Sequence, residues 1–266
     1  MKEIQKRIFI VGCPRSGTTL LQSLLLKHNE ITSFPESHFF SRTFLGKRAN
    51  QYPTLYSNYT LYKWINSIKE NNIYLKFKIA FSRDSVVRNF ISQLDTYTIN
   101  HNKRIWIEKT PNHLHTLDII EKFIPDAIFI HLIRDPRDTI ASLYEATNKY
   151  TEHWNQQYTI SEAVERYNRD INISKKYVDK RNHLIIKYED LIVNKNNINT
   201  VFEYINLNIH DISDINNYSS IVSTKEPWKK LNKDNKIVDT RNKKFNELFN
   251  EEEKKYIQDK VTYFND

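Results

Sequence analysis

The sequence predicts an α/β fold: a mostly parallel central sheet with helices on both faces, in one domain over residues 1–266. Three observations lead there. Short β-branched and aromatic runs alternate along the chain with segments of helical periodicity. One of these runs, residues 127–133, is almost unbroken in its apolar character, as a strand covered on both faces must be. And 266 residues with 39% apolar content suffice for one sizeable core.

Residues 7–11 form the first strand, ending at Gly12. From Thr18 the pattern turns helical, with Leu20, Leu21, Leu24 and Leu25 on one face and Lys27-His28-Asn29 closing it. Residues 31–34 are a second strand, stopped by Pro35. The stretch 37–102 is rich in Tyr, Asn and Lys and less legible; it predicts helices over 62–70 and 84–94. A strand over 104–108, a helix over 112–123 and the strand over 127–133 follow. Pro136 suits the first turn of the next helix. Beyond it come an amphipathic helix over 161–178, a strand over 183–188 and a helix over 198–205. Residues 224–244 read as a charged, mobile loop and 247–264 as a closing helix.

Bulk properties bound the function. The net charge of +8 favours an anionic partner without choosing among nucleotide, glycan, nucleic acid or lipid. Cys13 is the one cysteine, so neither an intrachain disulfide nor a cysteine-based metal site is expected. The nine histidines form no HExxH pattern. No apolar run has the length of a membrane span, and residues 8–11 are too short for a signal-peptide core. A cytoplasmic location is expected.

Two of the three glycines, Gly12 and Gly17, bound the segment Gly12-Cys13-Pro14-Arg15-Ser16-Gly17-Thr18-Thr19. Its spacing is that of a phosphate-binding loop, between a strand and a helix whose first N–H groups would face an anion. A nucleoside-triphosphate loop carries Lys after the second Gly, where this chain has Thr18; its cation is Arg15 instead. Arg15 would clamp an anion together with Ser16, Gly17, Thr18 and Thr19. The run Pro-Arg-Ser-Gly-Thr-Thr resembles the 5′-phosphosulfate loop of sulfotransferases that use 3′-phosphoadenylyl sulfate (PAPS). The resemblance implies a P-loop-like three-layer fold and PAPS as sulfuryl donor, with no metal required.

A second segment, Arg134-Asp135-Pro136-Arg137-Asp138, follows the most apolar strand, with Ser142 about two turns into the next helix. Alone it reads equally as an ion-pair cluster capping a strand. Beside the first loop it resembles the family's 3′-phosphate site, formed by Arg134 and Ser142, with Tyr188 matching the family's tyrosine. Arg137 either adds to this site or pairs only with Asp135 or Asp138.

Pro35-Glu36-Ser37-His38-Phe39-Phe40 resembles a segment of the family's glycan enzymes. The resemblance implies Glu36 as general base and His38 as a helper near the acceptor. A lone Glu after Pro is usually a helix cap; here its context favours the catalytic reading. If the first two strands were neighbours, Glu36 would face the phosphate loop. Glu108-Lys109-Thr110-Pro111 resembles the family's Glu-Lys-Ser/Thr-Pro segment and implies Lys109 as the cation on the sulfuryl group. His113 and His115 read as helix surface residues. Lys225, Lys229, Lys230, Arg241, Lys243 and Lys244 could supply a basic loop over the cofactor.

The acceptor implied is a hydroxyl or amine, tilted toward a saccharide, glycan or glycolipid, with a tyrosine or small alcohol as the alternative. The rival readings are a P-loop kinase-like enzyme, a sulfotransferase-like binder without activity, and a polyanion binder. The last lacks any recognisable nucleic-acid module.

Overall fold

The computed structural model describes residues 3–154, 156–193, 197–208, 221 and 242–264. Five strands form one sheet: β1 (Lys6–Gly12), β2 (Ile31–Phe34), β3 (Ile105–Lys109), β4 (Ile128–Ile133) and β5 (His183–Lys187). Their order is β2-β3-β1-β4-β5, and every pair is parallel. The predicted α/β class and all five predicted strands are therefore present. One expectation is corrected: β1 and β2 are not neighbours, because β3 lies between them. The register pairs Ile10 with Lys109, Phe34 with Glu108, Gly12 with Leu132 and Ile133 with Lys187. The strands thus end together along one edge of the sheet, where ligands gather in open α/β folds.

Alternation along the strands builds two cores. Phe9, Val11, Trp106 and Phe129 point to one face and Ile8, Ile10, Ile107 and Ile130 to the other; all are fully buried. Each such side chain contributes on the order of 1.5–3 kcal/mol by leaving water.

The helices are α1 (Thr18–Leu25), α2 (Phe39–Phe44), α3 (Lys47–Gln51), α4 (Pro53–Ser67), α5 (Arg83–Asn100), α6 (Leu117–Phe123) and α7 (Pro136–Lys149). They continue with α8 (Thr151–Trp154), α9 (Ile160–Lys175), α10 (Tyr188–Val193), α11 (Ile198–Tyr204), α12 (Lys243–Leu248) and α13 (Glu251–Lys260). Local chemistry explains the boundaries. Pro53 opens α4, Ser82 caps α5 through the Ser85 N–H, and Asp135 caps α7 ahead of Pro136. Thr159 and Glu162 close a capping box on α9.

Several expectations change in detail. The helix expected over 112–123 begins as a 3₁₀ turn, Pro111–Thr116, before α6. The expected closing helix is two helices, split where Asn250 and Glu253 form a capping box. Lys243 and Lys244 lie in α12 rather than in a loop. Among the described residues, no helix is long and apolar enough to cross a membrane.

Candidate active site

The site grows from the loop after β1. Gly12 has φ 149°, and a Cβ there would come within 2.5 Å of the Leu132 carbonyl oxygen on β4. Gly17 has φ 97°, and a Cβ there would strike the Tyr188 ring at 2.5 Å. Both positions require glycine for closeness as well as for backbone angle. Gly17 caps α1 without any side-chain hydrogen bond to the helix end. The Ser16 hydroxyl in the same loop is buried without a partner. Arg15 takes a left-handed conformation, φ 75°, and its Nε donates to Ser142 Oγ at 3.2 Å. Such backbone in a non-glycine residue is uncommon and clusters at functional sites.

That last hydrogen bond joins the two anion segments predicted separately. Arg134 follows β4; its guanidinium lies over the Tyr188 ring at 4.3 Å and donates to Asp138 at 3.2 Å. Its Nε is buried without a partner. Tyr188, the first residue of α10, therefore sits between Arg134 and Gly17. Arg137 pairs with Asp135 at 2.8 Å. Lys244 pairs with Glu145 and Lys243 stands 4.0 Å from Glu247. Lys225, Lys229, Lys230 and Arg241 lie outside the described residues.

Opposite the loop, β3 delivers Lys109. Its side chain is completely buried, and its ammonium donates to Thr19 Oγ1 at 3.1 Å and to Glu36 Oε1. Glu36 Oε2 is 3.3 Å from His38 Nε2. So the chain brings Glu36, Lys109, His38 and Thr19 together even though β1 and β2 are not adjacent. The intervening strand supplies the bridge. His38 is left-handed, φ 50°, and burial pushes its imidazole down to about 4, with Glu36 opposing that shift. It is neutral at neutral pH.

The residue that organises this cluster is Glu108, which sequence reading passed over. Its carboxylate is fully buried and accepts from the Ser37 N–H at 3.1 Å, Ser37 Oγ at 2.7 Å, Thr110 Oγ1 at 2.7 Å and His113 Nδ1 at 2.8 Å. Burial alone would raise this carboxyl; His113, Thr110 and Ser37 reverse the effect and hold it below the usual range. The expected surface position of His113 is corrected by this contact. Its ring is fully buried, and Nε2 accepts from the Phe40 N–H at 3.1 Å, which leaves Nδ1 to donate to Glu108. The signal available in the sequence was the carboxylate itself, since a charge on a two-sided buried strand must find partners.

His115 keeps a partly exposed position, in the 3₁₀ turn rather than in an α-helix. It approaches buried Asp170 at 2.9 Å, and Asp170 also accepts from Arg166 Nε at 2.8 Å. Burial, with Asp170 next, pushes the neighbouring Cys13 thiol well up. Ser41, Asn112, His115 and Arg169 line a cavity of about 380 Å³ here. Ser41 Oγ donates to the His38 carbonyl at 3.0 Å, which ties this cavity to the Glu36 cluster.

Comparison with known proteins decides the family. Residues 7–211 match the family model described as "Sulfotransferase family". The chain belongs to the sulfotransferase family. Among similar proteins, protein-tyrosine sulfotransferase A of Caenorhabditis elegans is 27% identical over 192 residues, 70% of this chain and 46% of that protein. The nodulation protein NoeE of Sinorhizobium fredii is 32% identical over 137 residues, 51% of this chain and 30% of that protein. The chain thus spans less than half the length of either.

Solved sulfotransferases share the fold. The sulfotransferase domain of the curacin biosynthetic pathway superposes with a TM-score of 0.54 at 17% identity, covering 86% of this chain and 87% of that one. A mouse sulfotransferase complexed with PAP gives 0.52 at 13% identity, covering 97% and 84%. The expected P-loop-like fold is thereby observed, and the family match places the chain among sulfotransferases rather than P-loop kinases.

Proposed function

We propose that this sulfotransferase moves a sulfuryl group from PAPS to a hydroxyl or amine acceptor, with Glu36 as base. The observation that carries this reading is the position of Lys109, which ties Thr19 of the phosphate loop to the Glu36 carboxylate. A cation between an anion loop and a carboxylate suits transfer of a charged group to a proton-bearing acceptor.

The residues present fit a nucleotide bearing 5′ and 3′ anionic groups. The buried, unpartnered Ser16 Oγ and Arg134 Nε are donors awaiting acceptors, and the α1 end carries no side-chain cap. PAPS supplies the activated sulfuryl group. Arg15, Ser16, Gly17, Thr18 and Thr19 hold the 5′ side; Arg134 and Ser142 hold the 3′-phosphate, with Tyr188 fixing the Arg134 plane. Lys109 neutralises charge at the transferred group. Glu36 takes the acceptor proton, oriented by His38. The mouse sulfotransferase of similar fold is complexed with PAP, which supports this donor.

The acceptor reading favoured is a saccharide, glycan or glycolipid, entering by way of the cavity at Ser41, Asn112, His115 and Arg169. A tyrosine acceptor is the second reading, favoured by the 27% identity to protein-tyrosine sulfotransferase A. Transfer of ³⁵S from labelled PAPS to separate pools of glycans, lipids, peptides and small alcohols tests both. Label in no pool, with intact PAPS binding, would overturn the transferase reading.

A further inference from the structure

The charge of the chain is concentrated in one stretch. Residues 37–83 hold eight Lys and Arg against one acid, Glu70, so these 47 residues carry +7 of the chain's +8. The same stretch exposes large apolar side chains: Phe81 is 96% exposed, Leu55 73%, Ile79 71% and Tyr74 69%. Single exposed apolar residues are ordinary; a contiguous group is not.

Contiguity follows from hydrogen bonds. Residues 73–81 run as an extended strap between α4 and α5. Ala80 exchanges two hydrogen bonds with the Asn58 amide on α4, at 3.0 and 2.8 Å, and Phe77 meets the Tyr62 ring at 5.3 Å. On the other edge, Asn89 and Gln93 of α5 bind the Lys78 carbonyl and the Lys76 N–H. The strap turns Ile73, Leu75 and Phe77 into the core and leaves Tyr74, Lys76 and Lys78 facing outward. Its far end lies along the α4 face that presents Leu55 and Tyr59, one helical turn apart. The strap is thus fixed on both sides with its outer face bare.

We propose that this face of α4 and the strap docks on an anionic lipid bilayer. Exposed lysines alternating with tyrosine and large apolar side chains match the interface between headgroups and acyl chains. Basic residues there draw the protein to anionic lipid, and exposed Leu55, Ile79 and Phe81 gain from hydrocarbon. A soluble polyanion would use the charges but offers nothing to those apolar side chains. At the end of the strap, the Arg83 guanidinium lies over Phe44 of α2 at 4.6 Å, so this layer reaches the helix that His38 begins. The docking inference does not depend on the reaction proposed above.

The test is co-sedimentation of the full chain with vesicles of phosphatidylcholine alone or mixed equally with phosphatidylserine. Binding to the mixed vesicles alone, weakening with salt, is expected. Lys76→Gln with Lys78→Gln should lower that partition about thirtyfold, which is about 2 kcal/mol. Ile79→Ser with Phe81→Ser should lower it too, with unchanged thermal unfolding showing that both double variants fold. Absence of binding overturns the proposal. So does sedimentation-equilibrium evidence of a dimer that Ile79→Ser with Phe81→Ser abolishes, since the face would then be covered by a second copy. Binding to a soluble sulfated glycan that equals binding to vesicles overturns it as well.

Discussion

Lys109 and Glu36 form an ion pair in which the cation is wholly buried while the carboxylate keeps 13% of its surface in contact with solvent. That asymmetry gives unequal costs. Glu36→Ala removes the paired carboxylate from a wholly buried ammonium, a loss of about 3–5 kcal/mol. Lys109→Met leaves a carboxylate that reaches water and should cost less. Urea denaturation of the two variants measures the difference; equal losses would contradict the pairing described.

Glu36→Gln retains shape and hydrogen bonding while removing basicity. Turnover should fall about 10²–10⁴-fold. The Kd for adenosine 3′,5′-bisphosphate, read by calorimetry, should barely move. Near-normal turnover would make Glu36 a cap and turn attention to His38.

The 3′-phosphate assignment makes a separate demand. Adenosine 3′,5′-bisphosphate should bind more tightly than AMP, by on the order of 1.5–3 kcal/mol for the charge-assisted contact. Arg134→Gln should erase the difference. ATP with Mg²⁺ should bind more weakly than the bisphosphate, and transfer should proceed in EDTA. Activity lost to the chelator and restored by Mg²⁺ would refute the metal-free reading.

Gly17→Ala forces a side chain into left-handed backbone and against the Tyr188 ring. The backbone alone costs about 1–2 kcal/mol. Displacing the ring also frees Arg134, so nucleotide affinity should drop along with the melting temperature. A variant that melts normally and binds normally would show that the tyrosine does not bear on the loop.

Acid stability should depend on His131. It hydrogen-bonds Ser174 at 3.1 Å and His183 at 2.8 Å, and His183 in turn meets Glu121 at 3.0 Å. Tyr177 stacks on the His183 ring, and Lys180 lies over Tyr177. Burial, then His183, pushes His131 down to about 3 from 6.5. The unfolded chain therefore takes up the proton first as pH falls. Stability should decline from about pH 6.5 toward pH 3, by about 2 kcal/mol between 6.5 and 5 for this group. His183, also lowered, acts in the same sense. Urea midpoints against pH should show a flatter curve for His131→Gln.

The strands were legible because a strand buried on both faces declares itself by residue type, as Ile8 to Val11 and Phe129 to Ile133 do. The anion loop was legible because Gly12 and Gly17 keep a spacing that few other structures need. Strand order was not, since pairing between residues seventy and more positions apart leaves no local trace; β3 entering between β1 and β2 is the example. His113 was misread because Pro111 starts a 3₁₀ turn, whose period differs from that of the α-helix expected there, and the imidazole faces inward. The stretch 37–102 was opaque for a related reason. Its helices α2 and α3 are five or six residues long, too short to show a period.

Glu108 binds Ser37, the neighbour of Glu36, and lies next to Lys109, while its partner across the β2–β3 pairing is Phe34. Slippage of β2 by one residue would turn Phe34 to the opposite face and carry Ser37 away from that carboxylate. Glu36 and Lys109 would then separate together. A chain folded out of register would lose the Lys109–Glu36 pair and the Glu108–Ser37 hydrogen bonds at once, so this buried cluster doubles as a proofreading check on the register of its own sheet.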